Sequence, residues 1–244
     1  MSNPTAAMLV IGDEILSGRT QDTNSNHLAL ELTKAAIDLK EVRVVSDDQS
    51  LIVEAVNALR TRWGSVFTSG GIGPTHDDIT ADAIAKAFGV GISVRADARA
   101  ILQARSDKLG IELNEARLRM ARIPDGATLI DNPVSGAPGF TLDNVHVMAG
   151  VPAIFHAMVA SVLPTLTGGS PVVSKTVRLD LPEGEIAQPL GALAQRYPTV
   201  SIGSYPFVLK GRFGTNIVLR SSDTARLAVA VAEFLTIFPE GQPQ

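Results

Sequence analysis

Two hydrophobic periods alternate along the amino-terminal part of this chain: short, nearly continuous apolar runs, and longer stretches in which apolar residues recur every three or four positions. Residues 6–11 read as a buried strand, and 12–18 as the turn region after it. A helix beginning near Asp22 or Thr23 and reaching about Ala36 carries Leu28, Leu32 and Ala35 inward. Residues 39–45 give a second strand. Asp48 is placed to cap a helix through about Arg62, because Ile52, Ala55, Val56 and Leu59 share one face. Residues 66–69 form a third strand, which runs into a glycine-rich loop. Thr80 then stands where a cap is expected, before a helix with Ala81, Ile84, Ala85 and Phe88 on one side. Alternating strands and helices predict an α/β fold with a mostly parallel sheet covered on both faces.

Farther along, residues 96–122 are polar, charged and mostly helical in pattern, with a break at Gly110, and are expected to lie over the edge of a site. Residues 128–130, 140–142 and 145–148 read as short strands, with Asp143 and Asn144 as a hairpin turn. Pro152 suits the first position of a helix reaching about Leu163. The run from Thr167 to Pro171, Thr-Gly-Gly-Ser-Pro, is a linker candidate that divides the chain into expected domains at residues 1–168 and 169–244. After it come a strand at 172–181, a helix at 183–196, strands at 200–209 and 215–220 and a last helix at 222–238. These make a small α+β module.

Composition narrows the class. With 45% apolar and 19% charged residues in 244, the chain has the make-up of an ordinary globular protein. Its apolar runs are too short to cross a bilayer. The amino terminus lacks the pattern of a secretory signal, and the absence of cysteine removes disulfides, thiolate metal sites and thiol nucleophiles. A cytoplasmic setting without membrane contact is the expectation. A formal net charge of −4 argues against a broad nucleic-acid surface, yet allows one nucleotide held by backbone amides and a metal.

In open parallel sheets, ligands gather outside the carboxyl ends of the strands. Asp13 and Glu14 follow the first strand, Asp47 and Asp48 the second, and residues 70–78 the third, so these groups converge on one edge. Gly70, Gly71 and Gly73 let backbone N–H groups approach an anion, and Ser69, Pro74, Thr75, Asn132 and Gly139 complete the candidate phosphate or nucleotide contacts. Asp77 and Asp78 would repel that anion unless a cation intervened. The pairing points to phosphate plus a divalent metal, Mg²⁺, Mn²⁺ or Co²⁺, with Asp13, Asp47, Asp77 and Asp78 as candidate ligands. Such a metal suits pyrophosphate hydrolysis or nucleotidyl transfer. Plainer roles compete: Asp48 as a helix cap, Asp77 as a charge favouring the nearby helix N-terminus, Asn132 in an Asx turn, His76 as an exposed loop residue. His27, His146 and His156 show no metal-ligand spacing and receive no role. The third glycine of a dinucleotide fingerprint, a P-loop and a nucleophile elbow are all missing.

Gly-Asp-Glu-Ile-Leu-Ser-Gly at 12–18, Asp-Thr-Asn at 22–24, Ser-Asp-Asp at 46–48, Gly-Gly-Ile-Gly-Pro-Thr-His-Asp-Asp-Ile-Thr at 70–80 and Ala-Pro-Gly-Phe at 137–140 occur together. Over residues 5–165 they resemble the amino-terminal part of the competence/damage-inducible protein A family, within the molybdopterin-binding superfamily of molybdenum cofactor biosynthesis. The resemblance implies a three-layer α/β/α core followed by a small KH-like module. It also implies metal-dependent hydrolysis of ADP-ribose-like or FAD-like pyrophosphates, with Asp47 and Asp78 as the catalytic pair. Two alternatives accompany it: a non-catalytic pterin- or nucleotide-binding protein, and a molybdopterin adenylyltransferase. Many members carry Pro-Gly-Val-Pro-x-Glu-Met where this chain has Ala-Gly-Val-Pro-Ala-Ile-Phe at 149–155, which puts Ile154 in place of the glutamate. That departure favours the binding-only alternative. The chain ends at Gln244, without room for the carboxy-terminal deamidase domain of longer members, so deamidation of nicotinamide mononucleotide is not expected. Self-association into homo-oligomers is, because superfamily relatives form dimers and trimers.

Overall fold

A computed structural model of the chain describes residues 3–209 and 211–244. The chain divides into two compact units, Met1–Gly169 and Ser170–Gln244.

In the first unit, β1 (Thr5–Ile11), α1 (Asp13–Leu16), α2 (Asn24–Lys34), β2 (Asp38–Val45), α3 (Gln49–Arg62), β3 (Ser65–Ser69) and α4 (Thr80–Phe88) follow one another. Next come β4 (Ile92–Val94), α5 (Ala96–Leu109), α6 (Glu115–Leu118), β5 (Arg122–Pro124), β6 (Thr128–Ile130), β7 (Gly139–Leu142), β8 (Val145–Met148) and α7 (Pro152–Val162). A six-stranded sheet has the order β2-β1-β3-β8-β7-β6. Its first four strands run parallel and its last two pairings are antiparallel. Successive strand residues point to opposite faces, so β1 sends Ala6, Met8 and Val10 into one core and Ala7, Leu9 and Ile11 into the other. Leu28 and Leu32 of α2 and Phe155, Met158 and Val159 of α7 fill the first core, while α3, α4 and α5 cover the second. This is the three-layer α/β/α arrangement. On the first face the rings of His27 and His156 stack, with centroids 3.6 Å apart.

Local chemistry explains several element ends. The Asp48 carboxylate accepts from the N–H groups of Ser50 and Leu51 and caps α3. Pro152 opens α7, where its missing N–H costs no hydrogen bond. Asp143 takes the left-handed conformation, φ 53°, in the β7–β8 turn.

Other expectations are corrected. Thr80 does not cap α4: it is the first helical residue after Ile79, fully buried, and its hydroxyl donates backwards to the Gly70 carbonyl at 3.0 Å. Its place makes Thr80, Ala83, Ile84 and Ala85 the buried side of α4, while Ala81 and Phe88 are half-buried. The turn region after β1 contains the short helix α1, and β4 and β5 form an additional antiparallel pair.

The second unit contains β9 (Val173–Leu179), α8 (Glu183–Arg196), β10 (Ser201–Leu209), β11 (Arg212–Ser221), α9 (Thr224–Ile237) and β12 (Gln242–Pro243). Its antiparallel sheet, ordered β10-β11-β9-β12, packs Val177, Leu179, Ile217 and Leu219 against Ile186 and Leu193 of α8 and Leu227, Ala230 and Phe234 of α9. No described helix is long and apolar enough to cross a membrane.

Candidate functional site

The register of the sheet determines where the loops meet. Ile11 pairs with Val45, Val10 with Ser69, and Ser69 with Met148, so four parallel strands end at nearly one level. The loops after β1, β2, β3 and β8 therefore gather at that edge. They are tied to one another: Gly70 N–H donates to the Met148 carbonyl at 3.1 Å, and Asp13 N–H donates to Asp47 Oδ2 at 3.0 Å.

Gly70 and Gly71 are demanded by the protein itself. Both take left-handed backbone angles, φ 113° and 67°. A Cβ on Gly70 would stand 2.1 Å from the Ile11 carbonyl oxygen, and one on Gly71 would stand 2.1 Å from Thr80 Oγ1. Neither position has space for a side chain. Asp78 closes the far end of the loop, since its Oδ2 accepts from Thr75 N–H at 2.8 Å and from the Thr75 hydroxyl at 2.5 Å. Among the described residues, none donates a hydrogen bond to Asp78 Oδ1.

A cavity of about 570 Å³ opens over this edge. Gly70, Gly71, Gly73, Pro74 and Asp78 form one wall, and Glu14, Asn132 and Ile154 are among its other lining residues. The volume suits a small-molecule ligand. Not every candidate residue reaches it. Ser69 is buried beneath the loop, where its hydroxyl accepts from Asn24 Nδ2 at 2.8 Å. Gly139 lies within β7, where a Cβ would meet the Val147 carbonyl oxygen at 2.4 Å. Thr75 shapes the loop through Asp78, and His76 is fully exposed. Asn132 lines the cavity, yet both ends of its amide are engaged in its own turn: Nδ2 donates to Ser135 Oγ and the Ala137 carbonyl, and Oδ1 accepts from the N–H groups of Val134 and Ser135. It supplies shape rather than a free donor.

Asp13, Asp47 and Asp77 are not among the cavity's lining residues: Asp13 opens α1, and Asp47 and Asp77 lie in the loops after β2 and β3. Burial raises the Asp47 carboxyl above its usual range; the Asp13 N–H opposes this, and the carboxylates of Asp13, Glu14 and Asp77 add to it. No basic group contributes to that balance. Among the described residues, no three His, Cys, Asp or Glu side chains are grouped to hold a metal ion by themselves. Three contributors gave no signal in the periodicity: Thr80 behind Gly71, Gly150 packed on Gly70, and Met120 at the rim. Met120 falls in the polar segment expected over the site edge.

Two family models match the chain. Residues 7–168 match the family described as "Probable molybdopterin binding domain", and residues 171–243 match "FAD synthase, middle domain". The chain belongs to the molybdopterin-binding domain family. Some of its relatives are described as CinA-like proteins. A CinA-like protein of Citrifermentans bemidjiense is 38% identical over 167 residues, which are 66% of this chain and 40% of that one. A protein of Archaeoglobus fulgidus is 32% identical over 199 residues, 82% of this chain and 84% of the relative. One of Caldivirga maquilingensis is 37% identical over 165 residues, and the matched region spans 64% of its length and 66% of this chain. The crystal structure of the protein CinA, with unknown function, from Thermoplasma acidophilum superposes with a TM-score of 0.62 at 32% identity, covering 68% of this chain and 99% of that one.

Proposed function

We propose that the first unit is a metal-dependent hydrolase of nucleotide pyrophosphates of the ADP-ribose or FAD type. The observation that carries this reading is the glycine-walled cavity lined by Asp78 and Glu14, with Asp47 among the carboxylates of Asp13, Glu14 and Asp77. Both family descriptions, molybdopterin binding and FAD synthase, name molecules in which a heterocycle bears phosphate. The donor set near Asp47 is all oxygen, with surplus negative charge, and fits a hard divalent cation. Asp47 and Asp78 would hold it, with the rest of its coordination supplied by water and ligand phosphate, as is usual for Mg²⁺. Such an ion, Mg²⁺, Mn²⁺ or Co²⁺, polarises a phosphoryl oxygen and offsets the charge of the acids around it.

In the reaction, a water oxygen forms a bond to one phosphorus, the P–O bond to the bridging oxygen breaks, and two phosphate monoesters result. As ligands of the cation, Asp47 and Asp78 would fix the attacking water, whose proton passes to solvent. The loop backbone at Gly71 and Gly73 orients the phosphates. Chromatography of products from ADP-ribose, FAD, NADH and diadenosine substrates tests this, with each metal and an Asp78→Asn control. The asparagine keeps an acceptor for Thr75 while removing the charge. Metal-dependent AMP release by the wild type alone is expected.

One observation favours a second reading. Ile154 lines the cavity and puts an apolar side chain where the resemblance would place a glutamate. A binding protein for a pterin or nucleotide, without turnover, would hold its ligand in the same cavity and release no AMP with any metal.

A further inference from the structure

Beside the main cavity lies a tighter cleft of about 20 Å³, and the two share Gly71, Ile72, Gly73, Asp78 and Met120. Its opposite wall carries two arginines with contrasting environments. Arg122 is committed: its Nη1 and Nη2 donate to Asp82 Oδ2 and Oδ1 at 2.8 and 2.6 Å, which pins the start of β5 to the first turn of α4. Arg119 is not. It has no carboxylate partner among the described residues, and its one hydrogen bond is a long 3.5 Å contact from Nη2 to the Asp78 carbonyl. Its Nε is buried and has no hydrogen-bond partner among the described residues.

A buried, unpaired donor on a permanently charged group is costly unless something completes it. The backbone that carries Arg119 is nonetheless fixed, since Ala121 is fully buried and its carbonyl accepts from Arg95 N–H at 3.0 Å, while the Arg122–Asp82 pair anchors the next position. A rigid backbone thus presents this guanidinium to a glycine loop, across a cleft whose other charged lining residues are Asp78, Asp82 and Arg122.

We propose that Arg119 is an anion clamp, a ligand-binding residue whose guanidinium closes on a phosphoryl group lying against Gly71 and Gly73. The inference rests on the reading that the cavity takes a phosphate-bearing ligand, but not on turnover. A planar fork of donors matches two oxygens of one phosphoryl group, which a lysine ammonium does not.

The test is calorimetric titration of the full chain with inorganic pyrophosphate and with ADP-ribose, alongside AMP-release kinetics. The variants are Arg119→Met, which keeps the apolar stem, Arg119→Lys, which keeps the charge, and Arg117→Ala as a neighbouring control. Arg117 is directed elsewhere, donating to the Glu112 carbonyl at 2.6 Å. Arg119→Met should weaken pyrophosphate binding about 10- to 100-fold, with Arg119→Lys recovering part of it and the thermal stability of Arg119→Met no lower than that of the wild type. Arg117→Ala should bind as the wild type does. Unaltered pyrophosphate affinity in Arg119→Met overturns the clamp, and so does wild-type protein that binds neither ligand. If the wild type binds pyrophosphate through Arg119 yet releases no AMP, the hydrolase reading fails and the clamp stands. If wild type and Arg119→Met bind ADP-ribose and release AMP alike, the clamp fails and the hydrolase reading stands.

Discussion

Replacing Gly71 by alanine separates two reasons a glycine can stand in a binding loop, close approach of a ligand and close approach of the protein. At φ 67° any side chain pays for the left-handed conformation, about 1–2 kcal/mol. The added Cβ would also stand 2.1 Å from Thr80 Oγ1, and Thr80 is fully buried, so it cannot swing into solvent. Displacing it breaks the hydroxyl bond to the Gly70 carbonyl, which costs about 1–3 kcal/mol. Gly71→Ala should therefore destabilise the first unit by about 2–5 kcal/mol without any ligand present. In a Thr80→Ala background the hydroxyl is gone and the nearest side-chain atom to the new Cβ is Thr80 Cβ, at 3.2 Å. The 2.1 Å clash is removed and only a tight 3.2 Å contact remains, so the double variant should be more stable than the summed single effects imply by about 1–3 kcal/mol. Urea unfolding followed by tryptophan fluorescence reads this cleanly. The chain has one tryptophan, Trp63, which lies in the first unit and donates to Glu41 Oε2 at 2.9 Å. Strict additivity of the two substitutions would refute the packing argument. One corollary is that lost ligand binding in Gly71→Val says nothing about ligand approach, because the loop itself would be displaced.

His146, buried in β8 with Nδ1 3.0 Å from the Thr141 hydroxyl, is pushed down to about 4 by burial. The unfolded chain binds its proton more readily, so this contribution to stability is fully present above the ordinary histidine range and is lost as pH falls towards about 4, roughly 3 kcal/mol in all. An NMR titration should find the imidazole still neutral at about pH 5, whereas an ordinary midpoint near 6.5 would contradict the burial argument. Ile154→Glu, which adds a carboxylate to the cavity wall, should raise Mn²⁺ affinity severalfold by calorimetry; unchanged affinity would place the ion away from that wall.

Much of the fold was legible because its strands and helices obey local rules. Alternation along β1 separates two cores, Asp48 caps, Pro152 opens a helix and Asp143 turns a hairpin, each through chemistry within a few residues. The convergence of the loops after β1, β2 and β3 was also accessible, since a parallel sheet places strand ends together. What escaped depends on partners distant in sequence. Thr80 reads as a cap from its neighbours, but Gly70, ten residues upstream, draws its hydroxyl backwards. β4 and β5 are three residues each and find one another across α5 and α6, too short to show a period. Asn132 looks equally suited to a ligand and to an Asx turn, and only its four contacts reveal that it is consumed by the turn. Arg119 sits among many charged residues, and nothing in that run distinguishes it from Arg122 until their partners are seen.

The central claim is that the glycine-walled cavity is where a pyrophosphate ligand and its metal meet. Crystals grown with ADP-ribose and Mn²⁺ test it most directly, because Mn²⁺ is located by its anomalous scattering independently of the ligand. The account predicts phosphates against Gly71 and Gly73 and an anomalous peak beside Asp47 and Asp78. ADP-ribose bound elsewhere, or Mn²⁺ bound away from both aspartates, would contradict it.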